Sequence, residues 1–331
     1  MTITTRRDLI VKATALGVGA AMDRNLIGYS LAVDKAVQSS KASDFIPGFQ
    51  ERKMRTSSAT INFAIGGTGP AVLLLHGYPQ THIMWRKVAV QLAEKFTVVA
   101  SDLRGYGDSS KPEGGENHSA YSKRSMARDQ VELMTSLGFK NFVVVGHDRG
   151  GRVAHRMALD HADVVSKLVV LDIVPTYKLY HSVTKEFATA YFHWFFLIRP
   201  APFPETLIGG SVEFYLGNFS FGRLLGGAID DRAFAEYLRC FRDPAAIHAS
   251  CEDYRAAATI DLEHDAADLN KKISCPTLAL WAEQGAMHSL FNVLETWKER
   301  ASRVTGRAIP GGHFLAEESP QVVLEELSKF L

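Results

Sequence analysis

"VVVGHDRGGRVAHR", Val143 to Arg156, runs from consecutive valines into a glycine- and alanine-rich segment, with a sharp turn between them. Valines in unbroken succession read as a strand buried on both faces, and the segment after the turn reads as a helix. The junction, Gly146-His147-Asp148-Arg149-Gly150, has the form G-x-nucleophile-x-G. Its glycines permit a tight, strained turn that lifts the middle side chain out at the carboxyl end of a sheet. A serine commonly stands at that middle position, but here it is Asp148. An aspartate at a helix start can also simply cap free amides, so the surrounding sequence has to decide its role.

Working outward, short apolar runs alternate with amphipathic stretches of helical length from about Ala59. "TINFAI", "AVLLLH", "FTVVA", "FVVVGH" and "KLVVLD" are strand-like, and the turn "GGTGP" separates the first two. A helical stretch lies around Trp85 to Glu94. Between Ser122 and Leu137, Met126, Leu133, Met134 and Leu137 fall on one helical face. This alternation predicts a mostly parallel sheet with helices on both faces. It stops at Pro175. Residues 176–265 are aromatic-rich and helical or irregular, after which "PTLALWA", a helix near Leu290 to Arg300, a strand near Arg303 to Ile309 and a C-terminal helix resume the pattern. The expected organisation is a leader and linker over 1–48, an α/β core over 49–175 and 266–331, and a helical cap over 176–265 inserted between the core halves.

The 331 residues carry 37 Lys+Arg against 36 Asp+Glu, a net charge of +1, so no charge excess points to nucleic acid or an anionic membrane. Three cysteines, Cys240, Cys251 and Cys275, lack the spacing of a metal or disulfide framework. No metal or organic cofactor has a motif, and no apolar run is long enough to span a bilayer. At the N-terminus, "TTRRDLIVKATALGVGAAM" sets Arg6-Arg7 before a weakly apolar stretch, like a twin-arginine export signal, with Ser30-Leu31-Ala32 near a cleavage position. The expectation is a periplasmic or secreted protein, the alternative a cytoplasmic one.

Three further stretches give Asp148 a chemical setting. His76-Gly77-Tyr78-Pro79 follows "AVLLL", where the Tyr78 amide can join the Arg149 amide in an oxyanion hole. His313 in "IPGGHF" follows the last strand, as a catalytic base would. An acid to orient it has two candidates at strand ends, Asp172 in "VVLDIVPT" and Glu283 in "LALWAEQG", and spacing does not choose between them. Arg149 and Arg152, three apart at a helix start, share a face suited to a carboxylate. Arg156, one turn on, reads as solvated, and Arg104 as bracing its loop through ion pairs.

From about Phe49 to the C-terminus the chain resembles the α/β-hydrolases of the haloalkane dehalogenase and epoxide hydrolase group, and within it the fluoroacetate (haloacetate) dehalogenases. The resemblance rests on "LLLHGYPQTHIMW", "DLRGYGDSSKP", "GHDRGGRVAHRMALDH", "LDIVPTY", "FHWFFLIRPAPFPETLIG", "RDPAAIHASCEDYRAAATIDLEHD" and "PGGHF". The first two are shared with epoxide hydrolases, whereas the cap segments and the arginine pair are more specific. The resemblance implies an α/β-hydrolase fold with an inserted helical cap, Asp148 as nucleophile, His313 as base and Asp172 as its acid partner. It also implies Arg149 and Arg152 at the substrate carboxylate, His193, Trp194 and Tyr254 as donors to the leaving halide, and a possible homodimer.

Elementary chemistry agrees with those roles. A carboxylate attacking a saturated carbon leaves an ordinary alkyl ester, which activated water can hydrolyse; attack on an acyl carbon would give an anhydride instead. The expected reaction is haloacetate plus water to glycolate plus halide. The alternatives are an epoxide hydrolase using the same aspartate, with two of Tyr177, Tyr180, Tyr191, Tyr215, Tyr237 and Tyr254 protonating the epoxide oxygen, and a non-catalytic ligand-binding protein of this fold. A small-molecule substrate is the expected partner.

Overall fold

A computed structural model describes residues 44–220 and 229–331. Eight strands form one sheet: β1 (Gln50–Arg55), β2 (Thr60–Gly66), β3 (Ala71–Leu75), β4 (Thr97–Ser101), β5 (Phe142–His147), β6 (Val165–Leu171), β7 (Thr277–Ala282) and β8 (Val304–Ile309). Their spatial order is β1-β2-β4-β3-β5-β6-β7-β8. β2 runs antiparallel to both neighbours, and β3 to β8 are parallel. Every residue of β3 and β5 is buried. Because successive side chains point to opposite faces, such strands need cover on both sides. That explains their unbroken Val and Leu runs. The hairpin strand β1 was not legible in the sequence: its residues are exposed or half-buried, and "QERKMR" has no apolar alternation. Just before it Phe45, Ile46 and Phe49 are buried, so the last residues of the expected linker pack against the core.

Counting α-helices of five or more residues, the core contributes α1 (Arg86–Leu92), α2 (Lys123–Ser136) and α3 (Asp148–Asp160) before β6. Between β6 and β7 the chain runs through α4 (Thr176–Tyr180), α5 (Lys185–Ala190), α6 (Phe192–Phe196), α7 (Phe203–Gly209), α8 (Asp231–Phe241), α9 (Pro244–Ala258) and α10 (Ile260–Ala267), the inserted helical cap. α11 (Ala286–Leu290), α12 (Val293–Lys298) and α13 (Pro320–Phe330) complete the core. α2 starts on a Ser122 cap whose side chain accepts from the Ser125 amide, and it buries Met126, Leu133 and Met134, three of the four residues on the predicted face. Asp230 and Asp243 cap α8 and α9 in the same way. Among the described residues no helix is long and apolar enough to cross a membrane. The twin-arginine stretch lies outside the described residues.

The sheet order creates one switch point. From β3 the chain passes to β4 on one side and then returns to β5 on the other. The loops leaving β3 and β5 therefore diverge and open a crevice at their carboxyl ends, the usual place for a ligand in an open α/β sheet.

Candidate active site

Asp148 stands in that crevice, between β5 and α3, with φ +44°. A non-glycine residue in this left-handed region is strained, and the flanking glycines explain how the turn is accommodated. A Cβ on Gly146 would lie 2.4 Å from the Gly150 carbonyl oxygen, and one on Gly150 would lie 2.4 Å from the His76 carbonyl oxygen. Gly77, from the facing loop, approaches so closely that its Cβ would sit 2.7 Å from Asp148 Cβ. The close approach delivers the Tyr78 amide, which donates to Asp148 Oδ2 at 3.0 Å. The loop itself is braced by His76: its Nε2 accepts from the Leu103 amide at 3.0 Å, which leaves Nδ1–H to donate to the Gly77 carbonyl at 2.9 Å.

His313 follows β8 and places Nδ1 2.7 Å from Asp172 Oδ2, at the end of β6. The other Asp172 oxygen accepts from the Ala282 amide at 2.9 Å. Glu283 is exposed, so of the two acids left open by spacing it is Asp172 that meets the histidine. Asp172 shares the left-handed backbone of Asp148, with φ +51°. Burial pushes the His313 pKa down, but the hydrogen bond and charge of Asp172, with Asp148 behind, raise it overall. Burial likewise opposes ionisation of Asp148, yet His313, Arg152, His147 and Arg149 hold its pKa below the usual carboxylate value. His147 is buried and pushed down to about 4, chiefly by desolvation and then by His313, so it is neutral; its Nε2 lies 2.7 Å from the His313 carbonyl oxygen.

The cap brings aromatic groups to the arginines that flank Asp148. Trp194 and Tyr254 are fully buried, with ring centroids 5.6 Å apart, and among the described residues neither the Trp194 indole nitrogen nor the Tyr254 hydroxyl has a hydrogen-bond partner. Unpartnered buried donors are rare, so two side by side mark a place where a polar ligand can sit. His193 is held neutral, its pKa pushed to about 3 by burial, and its ring lies 5.8 Å from that of Tyr254. The Arg149 guanidinium stacks 4.1 Å over the Tyr254 ring, and that of Arg152 lies 4.5 Å over the Trp194 ring. Arg152 Nη1 donates to the Val174 carbonyl at 2.9 Å and to Thr176 Oγ1 at 3.0 Å. Asp148, Asp172, His313, both arginines, Tyr78 and the three cap residues thus converge on one site.

Residues 70–320 match the family described as alpha/beta hydrolase fold. The chain belongs to that family. It is 49% identical over 286 residues to the fluoroacetate dehalogenase of a Burkholderia species, spanning 86% of this chain and 94% of the relative. It is 36% identical over 275 residues to the soluble epoxide hydrolase of a Corynebacterium species, spanning 82% of this chain and 93% of the relative. Among solved structures, ALR0039 from a Nostoc species is 55% identical with a TM-score of 0.82, over 85% of this chain and 97% of that one.

Within this α/β hydrolase, two expectations about arginines part company. Arg104 braces its loop as predicted, with Nε 2.6 Å from Asp129 Oδ2 and Nη1 2.8 Å from the Ala120 carbonyl oxygen. Arg156, expected to be solvated, is buried, with Nη2 2.7 Å from Asp160 and 2.5 Å from Asp268. Nothing in the helix sequence reports that the end of α10 and the segment after it bring Asp265 and Asp268 onto Arg156. Sequence reasoning also missed Asp253, whose carboxylate grips Arg149. Tyr191, one of the tyrosines weighed for protonating an epoxide, places its ring 6.5 Å from that of His313. Asp253 directly precedes Tyr254 in "CEDYR", the one local signal that pointed near it.

Proposed function

We propose that this α/β hydrolase cleaves the carbon–halogen bond of short 2-halo carboxylates, converting haloacetate and water to glycolate and halide. One observation carries the reading: among the described residues the Trp194 and Tyr254 donors are unpartnered, and their rings lie under Arg152 and Arg149, two of the cations that hold Asp148 ionised. The similarity to a fluoroacetate dehalogenase supports it. In the first step an Asp148 oxygen attacks the halogen-bearing carbon, the C–X bond breaks, and halide leaves toward the Trp194 and Tyr254 protons and His193. The arginines receive the substrate carboxylate and offset the repulsion between two anions. In the second step His313, with Nδ1–H on Asp172, takes a proton from water through Nε2. The hydroxide adds to the ester carbonyl, and the Tyr78 and Arg149 amides receive the developing oxyanion. Collapse expels the glycolate alkoxide, which takes the proton from His313, and the proton left on the Asp148 carboxyl is lost to solvent, restoring the carboxylate. The test is halide release from fluoroacetate and chloroacetate by purified protein and by Asp148→Asn; an active variant, or an inactive parent, would defeat the reading.

An epoxide hydrolase remains the second reading, supported by the Corynebacterium relative and by two cap tyrosines at the site, Tyr191, with its ring 6.5 Å from that of His313, and Tyr254 under Arg149. Diol formation from styrene oxide without halide release would favour it. Arg6-Arg7 and the apolar stretch after them support export through a twin-arginine route, which fractionation of expressing cells would test. A homodimer follows from the same family resemblance and is measurable by light scattering.

A further inference from the structure

Arg149 is not free to grip a substrate from two sides. Its Nε donates to Asp253 Oδ2 at 3.0 Å, and its Nη2 donates to Asp253 Oδ1 at 2.7 Å and to the Asp253 carbonyl at 2.8 Å. Among the described residues its Nη1, also buried, is the one guanidinium nitrogen without a partner. Asp253 is fully buried and takes two more donors from the core, the Tyr106 hydroxyl at 2.6 Å and the Lys123 ammonium. Lys123 in turn lies 3.7 Å from Asp261 Oδ2, and its amide donates to Asp261 Oδ1 at 2.8 Å. The chain Arg149–Asp253–Lys123–Asp261 therefore alternates in sign through the buried joint between core and cap. Arg152 differs in kind. Its Nη1 meets only the neutral Val174 carbonyl and Thr176 hydroxyl, and among the described residues it forms no ion pair.

We infer that Asp253, backed by Lys123, is a positioning residue that divides the labour of the arginines: it neutralises Arg149 and aims its Nη1, leaving Arg152 as the cation that the substrate carboxylate neutralises. This rests on the reading that the arginines receive the carboxylate. A buried carboxylate holding a guanidinium through a fork fixes its orientation as well as its charge. Removing the negative charge while keeping an acceptor, as in Asp253→Asn, raises the positive potential of the site but loosens Arg149. Anion binding then tightens while the reacting carbon is placed less well. Removing the positive charge behind Asp253, as in Lys123→Met, strengthens its hold on Arg149 and lowers the potential. Anion binding then weakens. General destabilisation cannot produce opposite signs.

The experiment is titration of the purified full-length protein and both variants with acetate and glycolate, read by tryptophan fluorescence and calorimetry, with kcat on chloroacetate alongside. The expected results are ~3–10-fold tighter binding in Asp253→Asn, ~3–10-fold weaker binding in Lys123→Met, and a kcat in Asp253→Asn lower by ~10-fold or more. Shifts of the same sign in the two variants, an unchanged kcat in Asp253→Asn, or no anion binding by the parent would overturn the inference. If Asp253→Asn does not fold, Lys123→Met decides by itself, and unchanged or tighter binding there counts against it. A parent that binds acetate with the predicted variant shifts but releases no halide leaves this assignment standing and removes the dehalogenase reading alone.

Discussion

The Tyr78 amide donates to Asp148 Oδ2 across 3.0 Å. Asp148, the proposed nucleophile, therefore rests with one oxygen on the amide proposed for the oxyanion hole, and the other oxygen is the one proposed to attack. In the proposed reaction the held oxygen becomes the carbonyl oxygen of the ester, so the same amide meets the charge that develops when water adds. A donor aimed in advance at that charge needs no rearrangement during the second step. The relationship depends on Gly77, whose hydrogen leaves room for Asp148 Cβ.

Gly77→Ala should accordingly be inactive while still close to native in fold. The added methyl would lie 2.7 Å from Asp148 Cβ and 2.8 Å from His147 Nδ1, so either the loop or the elbow must retreat. A loss of ~10²-fold or more in kcat is expected, with stability lower by roughly 1–3 kcal/mol. Steady-state kinetics and thermal melts check it; a kcat near that of the parent would contradict the role given to the Tyr78 loop.

His313 must be neutral to act as base, and its pKa is raised, mainly because the Asp172 bond and charge outweigh burial. Activity should therefore rise with pH along a single-proton limb whose midpoint lies above the ordinary histidine value of about 6.5. Asp172→Asn should move that limb to lower pH and cut kcat. For stability the sign is opposite. The raised folded pKa gives a contribution fully present below about 6.5, which is lost as pH rises through the folded value. Rate profiles and denaturation curves against pH test both parts, and a limb falling below 6.5 would count against the Asp172–His313 pairing in solution.

The proposed halide donors should discriminate among leaving groups. Fluoride concentrates its charge and gains most from a hydrogen bond, so Trp194→Phe and Tyr254→Phe should slow fluoroacetate by ~10–10³-fold and bromoacetate by much less. The ratio of the two rates is the measurement. Equal losses would mean that the rings serve only as packing.

His313→Gln should separate the two chemical steps. The first displacement does not use the base, so one equivalent of halide should appear and turnover should then stop. Intact mass should show one carboxymethyl group retained, and peptide mapping should find it on Asp148. A variant that releases no halide at all would place His313 in the first step.

Much of this arrangement was legible in the sequence because its signals are local. Strands buried on both faces must be written as apolar runs, and the G-x-D-x-G turn must carry its glycines at fixed offsets, so β5, Asp148 and α3 could be read together. The His313 loop announces itself through the glycines before it. What escaped depends on contacts between distant segments. The choice of Asp172 over Glu283 is made by strand register, which presents the Ala282 amide to Asp172 and turns Glu283 outward. Arg156 and Asp253 are buried by the cap folding onto the core, and nothing in helical spacing reports where a second layer will land. β1 is an exposed edge strand defined by pairing with β2, so no periodicity betrays it.

The central claim is that Asp148, and not water, attacks the carbon. The most direct measurement is a single turnover of chloroacetate in heavy-oxygen water with enzyme in excess, followed by mass analysis of glycolate and of the Asp148 peptide. The account predicts ordinary oxygen in the first glycolate and the heavy isotope in the Asp148 carboxylate. Heavy oxygen in the first glycolate, with an unlabelled Asp148, would show direct attack by water and contradict it.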